Sequence, residues 1–206
     1  MSVAAVILAA GRSTRMGRNK MLADLDGETL IRRTVRAVLE SRARPVFVVT
    51  GHEPEKLAEA LAGLDVSWLD NPRFAEGLST SLVTGIGAVP QGASGALICL
   101  GDMPLVGAGL IDTLIARFEN EPRVGAVVPA HGGQWGNPVI VSRALFPEVA
   151  TLAGDAGARK LLRGRRDVTV VEVADEAVLI DADTPRALSE LQHKMRRLPR
   201  TAPGLP

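Results

Sequence analysis

Two groups of residues carry side chains from which chemistry can be built. The first is the loop from Gly11 to Lys20, which contains Ser13, Thr14, Gly17 and three arginines, Arg12, Arg15 and Arg18. It follows an apolar run, Val3 to Ala10, short enough to be a strand buried on both faces. Glycines let a backbone approach a ligand closely, inward-pointing N–H groups bind anions, and nearby cations neutralise phosphate charge. The plain alternative is a strand followed by an ordinary basic surface turn. The second group centres on Asp102, in Gly101-Asp102-Met103-Pro104 at the carboxyl end of the apolar run Gly95 to Leu100. Open α/β sheets bind ligands at that end of their strands. Asp102 could instead cap the following turn, but Pro104 limits that turn and the next helix starts only near Ala108. A hard oxygen ligand facing a basic phosphate loop points to Mg²⁺ held between carboxylate and phosphates, with Mn²⁺ as an alternative.

Further candidates lie on helix starts. Ser79, Thr80 and Ser81 fall in the first turn of a helix opened by Gly77, with Leu78, Leu82, Ile86 and Val89 on its buried face. Hydroxyls there act as caps or donate to a ribose or phosphate. Asp155 reads as the N-cap of a helix carrying Arg159 and Lys160, two cations that either meet an anionic ligand or line a solvated face. Asp183 precedes Thr184-Pro185 at the start of the last helix.

The elements that must position these residues alternate. A helix is predicted over 28–41, then a strand from Pro45 to Thr50 and a helix through Leu57, Leu61 and Leu64. A strand follows from Val66 to Leu69, then the helix after Gly77, the strand Gly95 to Leu100 as a central strand, and an amphipathic helix through Phe118. Such alternation implies right-handed βαβ units and a parallel sheet. After a strand from Val124 to Pro129, a glycine-rich connection to Val139–Val141 suggests a hairpin or an antiparallel excursion. Val168 to Val173 and Val178 to Ile180 read as strands, and the last helix turns Leu188, Leu191, Met195 and Leu198 inward. The tail, 196–206, is rich in Pro and Arg and is expected to be disordered.

The bulk numbers narrow the function. A chain of 206 residues is one domain by size, and 46% hydrophobic with 23% charged content is that of a soluble protein. A net charge of +1 and 3% aromatic content argue against a nucleic-acid partner. No segment is long enough to span a membrane and the N-terminal run is no signal peptide. The single cysteine, Cys99, in an apolar run, suggests a reducing cytoplasm. No Ser-His-Asp set, reactive cysteine or histidine cluster stands out.

The loop fits neither common phosphate-binding pattern. Position 16 is Met where a P-loop needs Gly, and Ser13 stands where the dinucleotide fingerprint has its second glycine. What stands is Leu8-Ala9-Ala10-Gly11-x-Ser13-x-Arg15-Met16-Gly17-x-x-Lys20, which resembles the signature loop of the MobA-like nucleotidyltransferases in their molybdenum-cofactor cytidylyltransferase branch. The resemblance extends to Asn71-Pro72 through Gly77-Leu78-Ser79-Thr80-Ser81, to Gly101-Asp102-x-Pro104, to Trp135-x-Asn137-Pro138 and to Gly154-Asp155 through Lys160, and spans 1–195. It implies a single Rossmann-like, three-layer α/β domain with a mostly parallel sheet and a small antiparallel excursion. Leu8, Ala9, Ala10, Gly11, Ser13, Arg15, Gly17 and Lys20, with Gly77, Ser79, Thr80 and Ser81, are expected to hold CTP. Asn137, Asp155 and Arg159 are expected beside a molybdopterin-type acceptor. Arg15, Lys20 and Asp102 are expected to serve catalysis, and Asp102 with Asp183 to bind Mg²⁺. The implied reaction is attack of the acceptor's terminal phosphate on the α-phosphate of CTP, and the recipient of the product would be a molybdoenzyme or its chaperone. Three alternatives stand beside it: a GTP-using sister, whose loop usually reads Ala-Gly-Gly, a sugar- or alditol-phosphate transferase, and a non-catalytic cofactor carrier.

Overall fold

The computed structural model describes residues 2–13, 17 and 19–197, with side chains of 194–197 left aside. Strand β1 (Val3–Leu8) is buried along its whole length, and the reason is its neighbours on all sides. It is followed by a tight hairpin of β2 (Asp24–Leu25) and β3 (Glu28–Thr29), then α1 (Leu30–Glu40), β4 (Val46–Thr50), α2 (Pro54–Ala60), β5 (Ser67–Asp70) and α3 (Leu78–Gly87). The second half runs through β6 (Gly95–Leu100), α4 (Ala108–Glu119), β7 (Ala126–His131), β8 (Gln134–Trp135), β9 (Val139–Ser142), α5 (Phe146–Val149), α6 (Ala158–Leu162), β10 (Val168–Glu172) and α7 (Pro185–Arg197).

The main sheet is ordered β10-β7-β9-β6-β1-β4-β5, with β8 paired to β7. Its pairs β6–β1, β1–β4, β4–β5 and β7–β10 are parallel, whereas β9 runs antiparallel to both β6 and β7. The expected excursion is therefore a strand inserted into the sheet beside its central strand. Side chains alternate across β1. Val3, Ala5 and Ile7 pack with α1, α2 and α4, while Ala4, Val6 and Leu8 pack with α3, α5 and α6, giving three layers. A smaller cluster joins Leu25 and Leu30 to Ala182, Leu188 and Leu191, and so docks α7 beside the hairpin.

Several local readings change; the helix expected through Leu61 and Leu64 ends at Ala60. The helix expected over 28–41 starts at Leu30, because Asp26 and Gly27 are both left-handed and close a two-residue hairpin, after which Thr29 Oγ1 accepts the Arg32 N–H. Val178 to Ile180 is not a strand. Asp175 accepts the Ala177 N–H and starts a 3₁₀ turn over Glu176–Leu179. The last helix continues through Arg197, past the boundary expected at 196. Leu198 and the tail after it lie outside the described residues, as does the Met195 side chain.

Candidate functional site

The end of β1 is fixed in place before the loop begins. The Ala9 N–H donates to Val49 O at 2.9 Å and the Gly101 N–H to Leu8 O at 3.1 Å, so three strand ends open at one point. Beyond the loop, Asn19 caps a 3₁₀ turn over Lys20–Leu22, its Oδ1 accepting the Met21 N–H. The Lys20 N–H donates to Ser13 Oγ at 3.0 Å, which ties the far end of the loop back to its start. Ser13 itself is left-handed, with φ 51°. Arg15 lies outside the described residues.

This turn aims Lys20 across the cleft at the carboxylates. Asp102 is buried at 4% exposure, and its carbonyl accepts the Ala182 N–H at 3.2 Å, drawing the 181–183 segment alongside. Ala182, itself fully buried, packs with Leu25, Leu30 and Leu188, which holds that segment in place. Lys20 Nζ lies 2.5 Å from Asp102 Oδ2 and also bonds Asp183 Oδ1. The plain capping role for Asp102 is thus replaced by an ion pair. Burial alone would lower the Lys20 pKa, but the Asp102 charge and hydrogen bonds from Asp102 and Asp183 outweigh it and raise it above 10.5. A raised ammonium pKa contributes stability at all lower pH values, lost only as strongly alkaline pH passes the folded-state value. Lys20 is therefore a cation throughout the neutral range. Asp102, Asp181 and Asp183 can bring one oxygen each to within 4.8 Å of one another. Three hard carboxylates suit Mg²⁺ or Mn²⁺, and that donor set fits the expected ion.

Two joined compartments share Leu8, Leu78 and Leu100. The smaller, 260 Å³, is lined by Ala10, Gly11, Lys20, Gly77, Ser81, Asp102 and Asp183 among others. The larger, 860 Å³, is lined by Trp135, Asn137, Asp155, Arg159 and Lys160. Most of the expected residues therefore fall on one continuous cleft. Ala9 does not, since it is fully buried in the core. Ser13 and Gly17 line a separate 570 Å³ depression on the other side of the loop, against His52 and Lys56.

Of the three hydroxyls, Ser81 alone lines the cleft. Asn71 Nδ2 donates to Thr80 Oγ1 and Ser81 Oγ, each at 2.9 Å, while Ser79 is 1% exposed and its N–H donates to Gly154 O. None of them caps α3, whose N-cap is Gly77. Asp155 is not the cap of α6 either. Gly157 takes that position, because Gly154 turns left-handed and its carbonyl is held by Ser79, which delays the helix to Ala158. Arg159 reaches the Trp135 carbonyl at 2.8 Å, so it fastens α6 to β8 while facing the larger compartment.

Gly77 joins the two sides of the cleft. Its φ is 117°, and a Cβ there would stand 2.4 Å from the Gly154 carbonyl. Gly77→Ala should therefore lower unfolding free energy by about 2 kcal/mol or more, combining left-handed strain with a backbone collision. Chemical denaturation checks this; an unchanged midpoint would show that the two segments separate freely.

Three site features were not singled out from sequence. Asp181 looks like part of a helix start, and only its proximity to Asp102 distinguishes it. Arg163 joins Arg159 and Lys160 on the larger compartment. Phe74 lines the smaller one with the Arg12 guanidinium 5.3 Å over its ring and His52 beside it. Phe74 falls on an unspecified position between Pro72 and Gly77, so no motif marked it.

Comparison with known proteins places the chain. Residues 5–170 match the family described as MobA-like NTP transferase domain. The Bacillus subtilis purine catabolism protein PucB is 30% identical over 92% of this chain and 96% of its own. A molybdenum cofactor cytidylyltransferase from Escherichia coli is 30% identical, covering 87% and 90%. A probable molybdenum cofactor guanylyltransferase from Mycobacterium marinum is 32% identical, covering 89% and 90%. Among solved structures, a nucleotidyl transferase from Methanothermobacter thermautotrophicus superimposes with a TM-score of 0.81 at 27% identity, covering 95% and 98%. Rv0371c from Mycobacterium tuberculosis, in complex with manganese, gives 0.78 at 27%, covering 94% and 99%.

Proposed function

The chain belongs to the MobA-like NTP transferase family and is a nucleotidyltransferase, and on that premise we propose that it transfers CMP from CTP to the terminal phosphate of a molybdopterin-type cofactor, releasing pyrophosphate. The observation that carries this reading is the meeting of Lys20, Asp102 and Asp183 on the wall of the smaller compartment. The smaller compartment would take the nucleotide, with Gly11 and Gly77 letting the ligand lie close to the backbone. Lys20 would hold the triphosphate, and Arg15 would assist from the loop. The larger compartment would take the acceptor, with Arg159, Lys160 and Arg163 supplying positive charge and Trp135, Asn137 and Asp155 lining the wall. Asp102, Asp181 and Asp183 would hold Mg²⁺, which when bound supplies neutralisation of charge developing on the phosphates.

No strong general base is required, because a phosphate acceptor arrives ionised. What the chain supplies is positioning and charge compensation. Burial raises the Cys99 thiol pKa, so that side chain is no nucleophile. A carrier would have no use for a buried carboxylate opposite the loop lysine, which favours the enzyme.

The choice of CTP over GTP rests on Ala10. Ala10 lines the smaller compartment at a loop position where guanylyl relatives usually carry glycine, and the added methyl would leave less room for a purine's second ring. The reading predicts that CTP with Mg²⁺ raises the melting temperature more than GTP, ATP or UTP does. At a ligand concentration a hundred times Kd the stabilisation is about 2.7 kcal/mol. A larger shift with GTP would move the protein to the guanylyl class and leave the transferase chemistry intact.

A further inference from the structure

The Lys20 ammonium lies within the carboxylate group, against Asp102 Oδ2 at 2.5 Å and against Asp183 Oδ1. The oxygens of Asp102, Asp181 and Asp183 come within 4.8 Å of one another, so their charges repel unless a cation stands among them. Asp102 is nearly sealed from solvent, and water relieves little of that repulsion. Lys20 Nζ thus holds a place between carboxylates that would otherwise hold a divalent ion. Two cations of like sign cannot share it. The lysine main chain is pinned at both ends of its turn, the N–H on Ser13 Oγ at 3.0 Å and the carbonyl on the Ala23 N–H at 3.0 Å. Any exchange is therefore a rotation of the side chain alone, and Lys20 lines the same compartment as Gly11.

We propose that the Lys20 ammonium and a divalent cation occupy the Asp102–Asp181–Asp183 group alternately, so that arrival of the metal releases Lys20 to the nucleotide phosphates. This rests on the smaller compartment being the triphosphate site. Each cation then favours the other's working position. Metal in the carboxylates frees a charge for the phosphates, and phosphates that hold Lys20 clear the seat for metal, a coupling that is reciprocal.

The test is Mn²⁺ binding to the nucleotide-free full chain, by electron paramagnetic resonance or calorimetry. Lys20→Met, which keeps length and removes charge, should bind Mn²⁺ at least about tenfold more tightly than wild type, since a competing like charge has gone. Lys20→Arg keeps the competitor and should stay near the wild-type affinity. Unchanged or weaker Mn²⁺ binding by folded Lys20→Met overturns the alternation. If Lys20→Met is too unstable without metal for direct titration, the rise of melting temperature from chelator-treated to Mn²⁺-containing buffer is the readout. A larger rise than in wild type supports the exchange, and an equal or smaller one overturns it. A companion titration of wild type with Mn²⁺ and a non-hydrolysable CTP analogue separates the two levels. Binding of the pair with no effect of Lys20→Met on Mn²⁺ alone removes only the exchange. Failure of wild type to bind the pair removes the triphosphate reading and the exchange with it.

Discussion

Asp102→Asn should fold normally and transfer nucleotide roughly 10²-fold more slowly or worse, equivalent to about 2.7 kcal/mol of barrier. The substitution nearly preserves volume and can still accept a hydrogen bond from Lys20 Nζ, which keeps its second partner in Asp183. The folding cost should therefore stay at about 1 kcal/mol or less. What disappears is the buried negative charge, at 4% exposure the least hydrated of the three carboxylates. Metal-free nucleotide binding should hold or improve, because Lys20 is then drawn away from phosphate by one charge fewer. A folded mutant that transfers CMP at the wild-type rate would take Asp102 out of the mechanism.

Lys20→Ala should raise the apparent CTP constant by about 10- to 100-fold and slow turnover as well, since a charge-assisted contact to phosphate is worth about 1.5–3 kcal/mol. Its effect on stability differs from that of a surface lysine. Asp102 and Asp183 lose their shared cation, and a buried carboxylate left without a partner costs more than the pair's net gain. Melting temperature in chelator-treated buffer should fall by several degrees and recover on adding Mg²⁺. Wild-type kinetics would mean that the loop binds something other than a triphosphate.

The sequence made the layers of this fold readable because its central strands are unbroken apolar runs while its helices carry an apolar face at helical spacing. Val3 to Ala10 and Gly95 to Leu100 are continuous apolar runs, and both are buried at the centre of the sheet. Lys20, Asp102 and Asp183 were legible as site candidates because motif spacing marks them, and the fold brings them together across separations of up to 163 positions. That Lys20 sits among the carboxylates was not legible, since it depends on the Ala182–Asp102 backbone bond that brings the two segments together. The same long-range pairing decides where β9 goes. Its residues read as a strand, but nothing local says that Val139–Ser142 inserts between β6 and β7. Asp155 and Val178 to Ile180 misled for a related reason. A local cap or strand preference was overridden by neighbours, Ser79 holding Gly154 in one case and Asp175 winding the chain in the other.

The central claim is that this cleft joins a nucleotide to a phosphate on the acceptor. The most direct measurement is product analysis after incubating the protein with α-labelled CTP, Mg²⁺ and a molybdopterin-type acceptor. The account predicts label in the acceptor and one pyrophosphate released per CMP transferred, both lost together in Asp102→Asn. Acceptor recovered without label, or labelled product formed equally well by Asp102→Asn, would contradict it.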